Sequence, residues 1–419
     1  MTDTTTTDTS TTDTSTTNEA TEADELSLDP AERLMQGDAW LQFCARLADV
    51  GDQLQSDDFP AGPRDRAEGY RYLTRLLTMA LKSELEFSDP DYPTFFRHED
   101  PWTQWGGPNA DNLYHRAAID PALTYRVWMD TVDVDTLLVS VSEGDMQLDE
   151  YGVYSEKALE DFEVGTDGRL EVIISPDEQP GNWLGTDPMA RLVTVRQYHT
   201  DWPNDRVAVP FIERVDGRGD PAPPADPADI AEALDRAAHW VERSLHYWNG
   251  YLRTALNGAT RNEIGKPRTP AGGAPNIAYG SGFWDLDDDH ALVITCEKPN
   301  AAYWNFQIHT MAWFESGAFH ERQTSLNCAQ AHIDDDDKVR IVVSHDDPGV
   351  PNWIDTERRP VGLLAYRWVQ AETMPVPEAE VVPLAELTGH LPANHPTVSP
   401  DERRESLARR REAALARYR

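Results

Sequence analysis

Two short stretches gather the side chains best suited to chemistry. In "PNADNLYHRAAID" (108–120), Asp111, Tyr114 and Arg116 fall within six positions. A carboxylate, a phenol and a guanidinium can serve as base, proton donor and electrostatic clamp. In extended backbone, Tyr114 and Arg116 share one face. The same Asn-x-Asp-Asn pattern also suits loop capping. The second stretch is "YWNFQIHTMAWFESGAFHERQTSLNCAQAH" (303–332). Alternation places Tyr303, Asn305, Gln307 and His309 on one strand face, with Trp304, Phe306 and Ile308 on the other. A polar face interleaved with aromatics suits a pocket lining. His309 therefore joins Asp111, Tyr114 and Arg116 as a catalytic candidate, and Gln307 and Asn327 become ligand-binding candidates. Ser316 or Ser325 with His309 or His320 and Glu315 has the composition of a hydrolytic triad. No Gly-x-Ser-x-Gly elbow accompanies it, and a solvated face with capping groups is the simpler account.

No metal or cofactor is expected. The 12 histidines form no His-x-His or His-Glu-x-x-His set, and there is no Cys-x-x-Cys. "HIDDDDK" (332–338) lacks the spaced loop of an EF-hand and reads as a solvated hairpin loop. No glycine-rich phosphate loop is present. Cys44, Cys296 and Cys328 are too scattered for a disulfide framework, so reduced thiols in a cytoplasmic setting are the default.

The elements that position these residues are legible through a repeat. "QPGNWLGTD" (179–187) follows the apolar run "LEVIIS", and "GVPNWIDTE" (349–357) follows "VRIVVS". Asn182–Trp183 thus parallels Asn352–Trp353. Upstream, "DTLLVSV" (135–141) parallels "AYWNFQI" (302–308), and downstream Arg196 parallels Arg367. The offset grows only by single residues, as small loop insertions produce. Two tandem copies of one β module follow. The Asn–Trp turn has a structural reading, with Asn bonding backbone and Trp covering an open sandwich end. It also has a functional one, with both turns facing one pocket. Arg196 and Arg367 within strands imply either carboxylate partners, for which Asp187 and Asp355 are placed, or an anionic ligand. These six residues complete the ligand-binding candidates.

The expected fold is mainly β with added helices. Two tandem antiparallel β-sandwich, jelly-roll-like modules are joined by a helical spacer. A disordered Thr/Asp tail (1–27) and a helical hairpin region (28–108) precede the first module (109–215). A linker and long helix (216–270) lead to the second (271–375), and an extension with a basic helix (376–419) follows. Asp29-Pro30 and Asp226-Pro227 are cap and first-turn pairs.

Charge excludes some functions. Acids outnumber bases 74 to 37, giving −37, and only five bases are lysine. Such a surface repels itself in dilute buffer and is relieved by salt. It points to a salt-rich cytoplasm and away from nucleic acid. Over 400–419, seven arginines face four acids, so this helix is expected to dock on the acidic body or on a neighbouring subunit of a homo-oligomer. No apolar run is long enough to span a membrane.

The segments "NADNLYHRAAID", "SPDEQPGNWLGTD", "YWNFQIHTMAWFES", "DDPGVPNWIDT" and "GLLAYRW" resemble domain-of-unknown-function family 1214, here of a haloarchaeal type. The resemblance is clearest over 275–370. It covers Asn352, Trp353, Asp355, Gly362 and Arg367, and extends to Asp111 and Tyr114. It implies a jelly-roll-like β domain with no established reaction or cofactor. Three functions fit the sequence. The first is binding of a small polar or anionic molecule between the modules. The second is a metal-independent hydrolase or lyase, and the third a structural or assembly role. The charge itself gives a test. The melting temperature should fall when molar salt is replaced by dilute buffer, and equal values in the two would overturn the salt-adaptation reading.

Overall fold

The structure, a computed structural model, describes residues 29–134, 136–269 and 276–418. The Thr/Asp tail expected at 1–27 lies outside them. Helices start where the caps are written. Asp29 accepts from the Glu32 amide at 3.0 Å to open α1 (Pro30–Gln36). Gly37, at φ 88°, closes that helix in the left-handed region, and α2 (Asp38–Gln53) starts directly after it. α3 (Pro63–Leu81) runs on into a π-helical turn, Lys82–Glu86. Asp226 accepts from the Ala228 amide at 2.8 Å and starts the 32-residue α4 (Pro227–Gly258). The spacer helix is the partner of the N-terminal ones. Phe43, Tyr72, Leu76, Trp240, Val241 and Leu245 share one apolar cluster.

The first module holds β1 (Phe96–Arg97), β2 (Asn112–Ala118), β3 (Tyr125–Asp130), β4 (Thr136–Ser142), β5 (Val153–Ala158), β6 (Arg169–Ser175), β7 (Trp183–Gly185), β8 (Leu192–Tyr198) and β9 (Phe211–Arg214). They form a sheet in the order β1-β2-β8-β4-β5 and a second in the order β7-β6-β3-β9. Alternating Val127, Val139, Val172, Val193 and Val195 interlock between the two. The second module holds β10 (Ile277–Asp285), β11 (His290–Glu297), β12 (Ala301–His309), β13 (Ser325–Asn327), β14 (Lys338–Ser344), β15 (Trp353–Asp355), β16 (Val361–Ala371) and β17 (Glu378–Pro383). Its sheets run β10-β16-β12-β13 and β15-β14-β11-β17. Leaving out the edge strand β1, the two orders correspond strand for strand. The second core is more aromatic, built on Trp284, Trp304, Phe306 and Trp368.

The structure departs from the expectation at three places. β7 and β15 pair parallel with β6 and β14, so neither sandwich is wholly antiparallel. β1 joins the first module from ahead of residue 109. β17 pairs with β11 beyond residue 375, because the outer sheet needs it as an edge.

The Asn–Trp turns explain the short parallel strands. Asn182 Nδ2 donates to the carbonyls of Glu163 (2.7 Å) and Glu171 (2.9 Å), and its Oδ1 accepts from the Glu163 amide (2.8 Å). Asn352 makes the same two-way clasp on His332, at 2.7 Å in each direction. Each Trp Nε1 then donates to a carbonyl at the end of the preceding strand, Ser175 (3.3 Å) or Ser344 (3.2 Å). The side-chain amide thereby lashes the loop that precedes each parallel strand pair.

The two modules meet through their inner sheets. Leu138, Tyr198, Ile277, Tyr303 and Val369 pack across the junction, with the Tyr198 and Tyr303 rings 4.8 Å apart. α5 (Pro400–Arg417) opens with a Ser399–Glu402 capping box and docks on this junction. Its Arg410 and Arg417 stack on the Trp202 ring at 4.3 and 4.6 Å. Arg417 also donates to the Ala110 carbonyl (2.6 Å) and Arg410 to Ser325 Oγ (2.7 Å). The basic helix therefore packs on its own chain. Among the described residues, no helix is long and apolar enough to cross a membrane.

Asn352 is fully buried, whereas Asn182 is partly exposed. Asn352→Ala should cost about 2–3 kcal/mol and Asn182→Ala about 1 kcal/mol. Denaturant titration of both variants checks the order, and equal costs would show that burial does not set the strength of the clasp.

Candidate functional site

Only part of the facing inner sheets touches. Elsewhere they part to leave a cleft of about 1030 Å³. Small side chains hold it open, with Ser140, Ser142 and Thr194 on one wall and Ser281 and Ala365 on the other. α4 supplies Tyr247, Trp248 and Tyr251 to its lining. The Gly106–Gly107 turn adds backbone, with both residues at positive φ. A Cβ on Gly107 would stand 2.5 Å from the Phe314 ring, so only glycine fits.

The two repeat arginines converge here. Tyr114 on β2 stands opposite Arg196 on β8, and Tyr279 on β10 stands opposite Arg367 on β16. All four residues line the cleft. Each guanidinium lies over its tyrosine ring, at 5.5 Å for Arg196 and 5.8 Å for Arg367. Arg367 Nη2 donates to the Gly107 carbonyl at 3.1 Å. Arg367 Nη1 and Arg196 Nε are buried without a hydrogen-bond partner. Among the described residues, no carboxylate forms an ion pair with either arginine. The expected partners are engaged elsewhere. Asp355 pairs with Arg322 at 2.6 Å, and Asp187 accepts from the Met189 amide at 2.9 Å.

The neighbouring groups leave this charge standing. Burial raises the Glu99 carboxyl to about 8, against the opposing pull of Arg116 and Arg196, so it is mostly protonated at neutral pH. Burial also raises Glu156, while Arg196 pulls it down. Burial drives His98 and His309 well below the usual histidine range, with nearby cations adding to the effect. Arg116 is neutralised by Asp145 at 2.5 Å, and Asp145 also accepts from Trp240 Nε1 at 2.9 Å. Burial pushes the Cys296 thiol up to about 12 and raises Cys328, which leaves neither activated.

The other candidates from the first sequence stretch separate. Tyr114 and Arg116 face the cleft, but Asp111 sits inside the sealed part of the junction, fully buried. It accepts from Tyr303 Oη (2.6 Å), Trp202 Nε1 (2.7 Å) and Asn327 Nδ2 (2.8 Å). Asp111 and Asn327 thus serve the junction, since every donor there must be met away from water. Gln307 belongs to the same network. Its Oε1 accepts from the Ala110 amide (3.1 Å) and its Nε2 donates to the Pro108 carbonyl (2.7 Å). That fixes the amide, so its second N–H donates to His309 Nε2 at 2.9 Å. His309 consequently carries its proton on Nδ1, toward Ser316 Oγ at 3.4 Å.

The triad arrangement therefore fails. His309 donates to Ser316 instead of accepting from it, and Ser316 gives its own proton to the Pro108 carbonyl. Glu315 is committed to Arg75, and Ser325 accepts from Arg410. The Asn182, Trp183, Asn352 and Trp353 side chains lie on the outer sheets, away from the cleft, where backbone clasping occupies them. Glu99 and Tyr279 were missed in the sequence. Tyr279 was open to discovery by carrying the repeat one strand further from Tyr114, while Glu99 has no signal short of its burial.

One solved structure, an uncharacterised protein from Burkholderia cenocepacia, aligns at TM-score 0.79 and 32% identity, over 85% of this chain and 99% of that one. The chain belongs to the family of that protein. A protein from Vibrio parahaemolyticus aligns at TM-score 0.46 and 13% identity, over 74% of this chain and 98% of that one. No family model matches the chain, and no curated protein does. Family membership brings the fold with it and no reaction.

Asp111→Ala would leave buried donors on Trp202, Tyr303 and Asn327 without their acceptor. It should destabilise by about 3–5 kcal/mol. A cost below about 1 kcal/mol in denaturant titration would show that the junction does not depend on this carboxylate.

Proposed function

We propose that the cleft binds a small anionic metabolite, held between Arg196 and Arg367. The observation that carries this is the pair of buried guanidinium nitrogens left without partners at matching positions of the two modules. A buried guanidinium N–H without an acceptor is costly, and a carboxylate or phosphate oxygen is the partner that relieves it. The aromatic lining from Tyr247, Trp248 and Tyr251 suits a ligand with an apolar body.

A second reading, a lyase, is favoured by Glu99. A carboxyl raised to about 8 beside an anion clamp is suited to passing a proton near neutral pH. We also infer that the two modules arose by duplication of one jelly-roll-like unit, supported by their equal strand orders. The family 1214 resemblance, the cytoplasmic setting and the salt adaptation remain our reading of the sequence alone.

Calorimetry with citrate, succinate and inorganic phosphate tests the binding reading. Arg196→Gln and Arg367→Gln should each weaken the best of these about tenfold or more, because a charge-assisted bond contributes about 1.5–3 kcal/mol. Failure of all three anions to bind at millimolar concentration, or undiminished binding by the double variant, would overturn it. The pH dependence has a definite sign. Below about 8 Glu99 holds its proton, and above it a negative charge appears near both arginines. Anion affinity should therefore fall as pH rises through about 8, and Glu99→Gln should flatten that fall.

A further inference from the structure

Away from the cleft, three side chains from two distant segments converge. His332 and Asp334 come from the loop before β14, and His395 from the segment between β17 and α5. One donor atom from each lies within 4.8 Å of the other two. His395 Nδ1 is 2.7 Å from Asp334 Oδ1, and His332 Nε2 is 3.4 Å from the same oxygen. The two imidazoles stand nearly perpendicular, at 84°. Asp334 and His395 side chains are only 3% and 4% exposed, while His332 is 35% exposed. The run of four aspartates is therefore not a wholly solvated loop, as the sequence suggested. Its first member points inward because Arg340 holds the outer oxygen at 2.7 Å.

We propose that His332, Asp334 and His395 bind one divalent transition-metal ion of the zinc type. Two imidazoles and a carboxylate are the donors such ions take, with bonds of about 2.0–2.2 Å. Donors spaced as these are need to shift only slightly to surround an ion. The supporting shell is already in place. Asn352 clasps both backbone polar groups of His332. The Asp334 amide donates to the Lys338 carbonyl at 2.9 Å, and Arg340 orients the carboxylate. The exposed edge at His332 leaves room for water to complete the coordination.

The first module supplies an internal contrast. Asn182 clasps Glu163 there as Asn352 clasps His332. The Gly165 amide bonds the Arg169 carbonyl as the Asp334 amide bonds that of Lys338. The same loop geometry thus carries Glu163 and Gly165, with no imidazole at either position. The ligand set exists only in the copy that the segment leading to α5 crosses. A bound ion would fasten that segment to the second sandwich. No metal-ligand spacing is visible along the chain because His395 lies far in sequence from the other two ligands.

The test uses the full chain, stripped with chelator and free of any histidine tag. Zn²⁺ is titrated by calorimetry and thermal shift, with Mg²⁺ as the control for loose binding to an acidic surface. The wild type should take up one Zn²⁺ per chain and melt at a higher temperature with it, while Mg²⁺ gives no comparable shift. His332→Ala should weaken Zn²⁺ at least tenfold. Its metal-free melting temperature should stay within about 1 °C of wild type, because its 3.4 Å contact is weak and exposed. A wild type that binds Zn²⁺ no better than Mg²⁺ would overturn the proposal. So would a His332→Ala variant that keeps the Zn²⁺ shift, or one whose metal-free melting temperature drops as far as its Zn²⁺-loaded one.

Discussion

The structure depends on burying two sheet faces that carry polar side chains. The inner faces of the two sandwiches are not apolar enough to close by hydrophobic contact alone. Asn109, Asp111, Asn305, Gln307 and Asn327 all lie within the junction and all are buried. Each donor and acceptor there costs free energy unless it is met. Asp111 meets this constraint by gathering donors from the second module, Tyr303 and Asn327, and from the Trp202 loop of the first. Once it is in place, the register of the two sandwiches follows. The cleft is where the same faces separate, and there the constraint is relaxed toward a ligand.

The repeat turns a structural motif into a site. A tyrosine and an arginine on neighbouring strands of one sheet form an ordinary cation–π pair. Two copies facing each other across a cleft concentrate positive charge from two chain segments far apart in sequence. Buried Glu99 and the two neutral histidines do not cancel it. On a chain of charge −37 this is a local reversal of sign. Its effect on an anion is strongest inside the cleft, where water screens least.

Much of the architecture was legible because it is local. Caps at Asp29 and Asp226, alternation in "RLEVIIS", and the order-preserving repeat all report on backbone within a few residues. The Asn–Trp turn marked the repeat, but its role is a backbone clasp, as its structural reading held. The site was legible only in part. Tyr114, Arg116, Arg196, His309 and Arg367 line the cleft, whereas Asp111, Gln307 and Asn327 spend their polar atoms on the junction. Alternation told which residues share a face but not whether that face meets a partner or empty space. Glu99 was invisible because its property is created by burial, which no neighbour in sequence encodes. The His332–Asp334–His395 convergence was hidden by the same limit.

The docking of α5 bears on the order of assembly. Arg417 reaches back to the Ala110 carbonyl across 307 residues of chain. Translation delivers that arginine only after both sandwiches have left the ribosome. Until then Trp202 lacks its two cationic covers, and the apolar patch of Ala110, Leu113 and Phe319 lacks Ala413, Ala414 and Tyr418. A chain lacking α5 would therefore leave this seam open, with Trp202 and the Ala110–Leu113–Phe319 patch facing water.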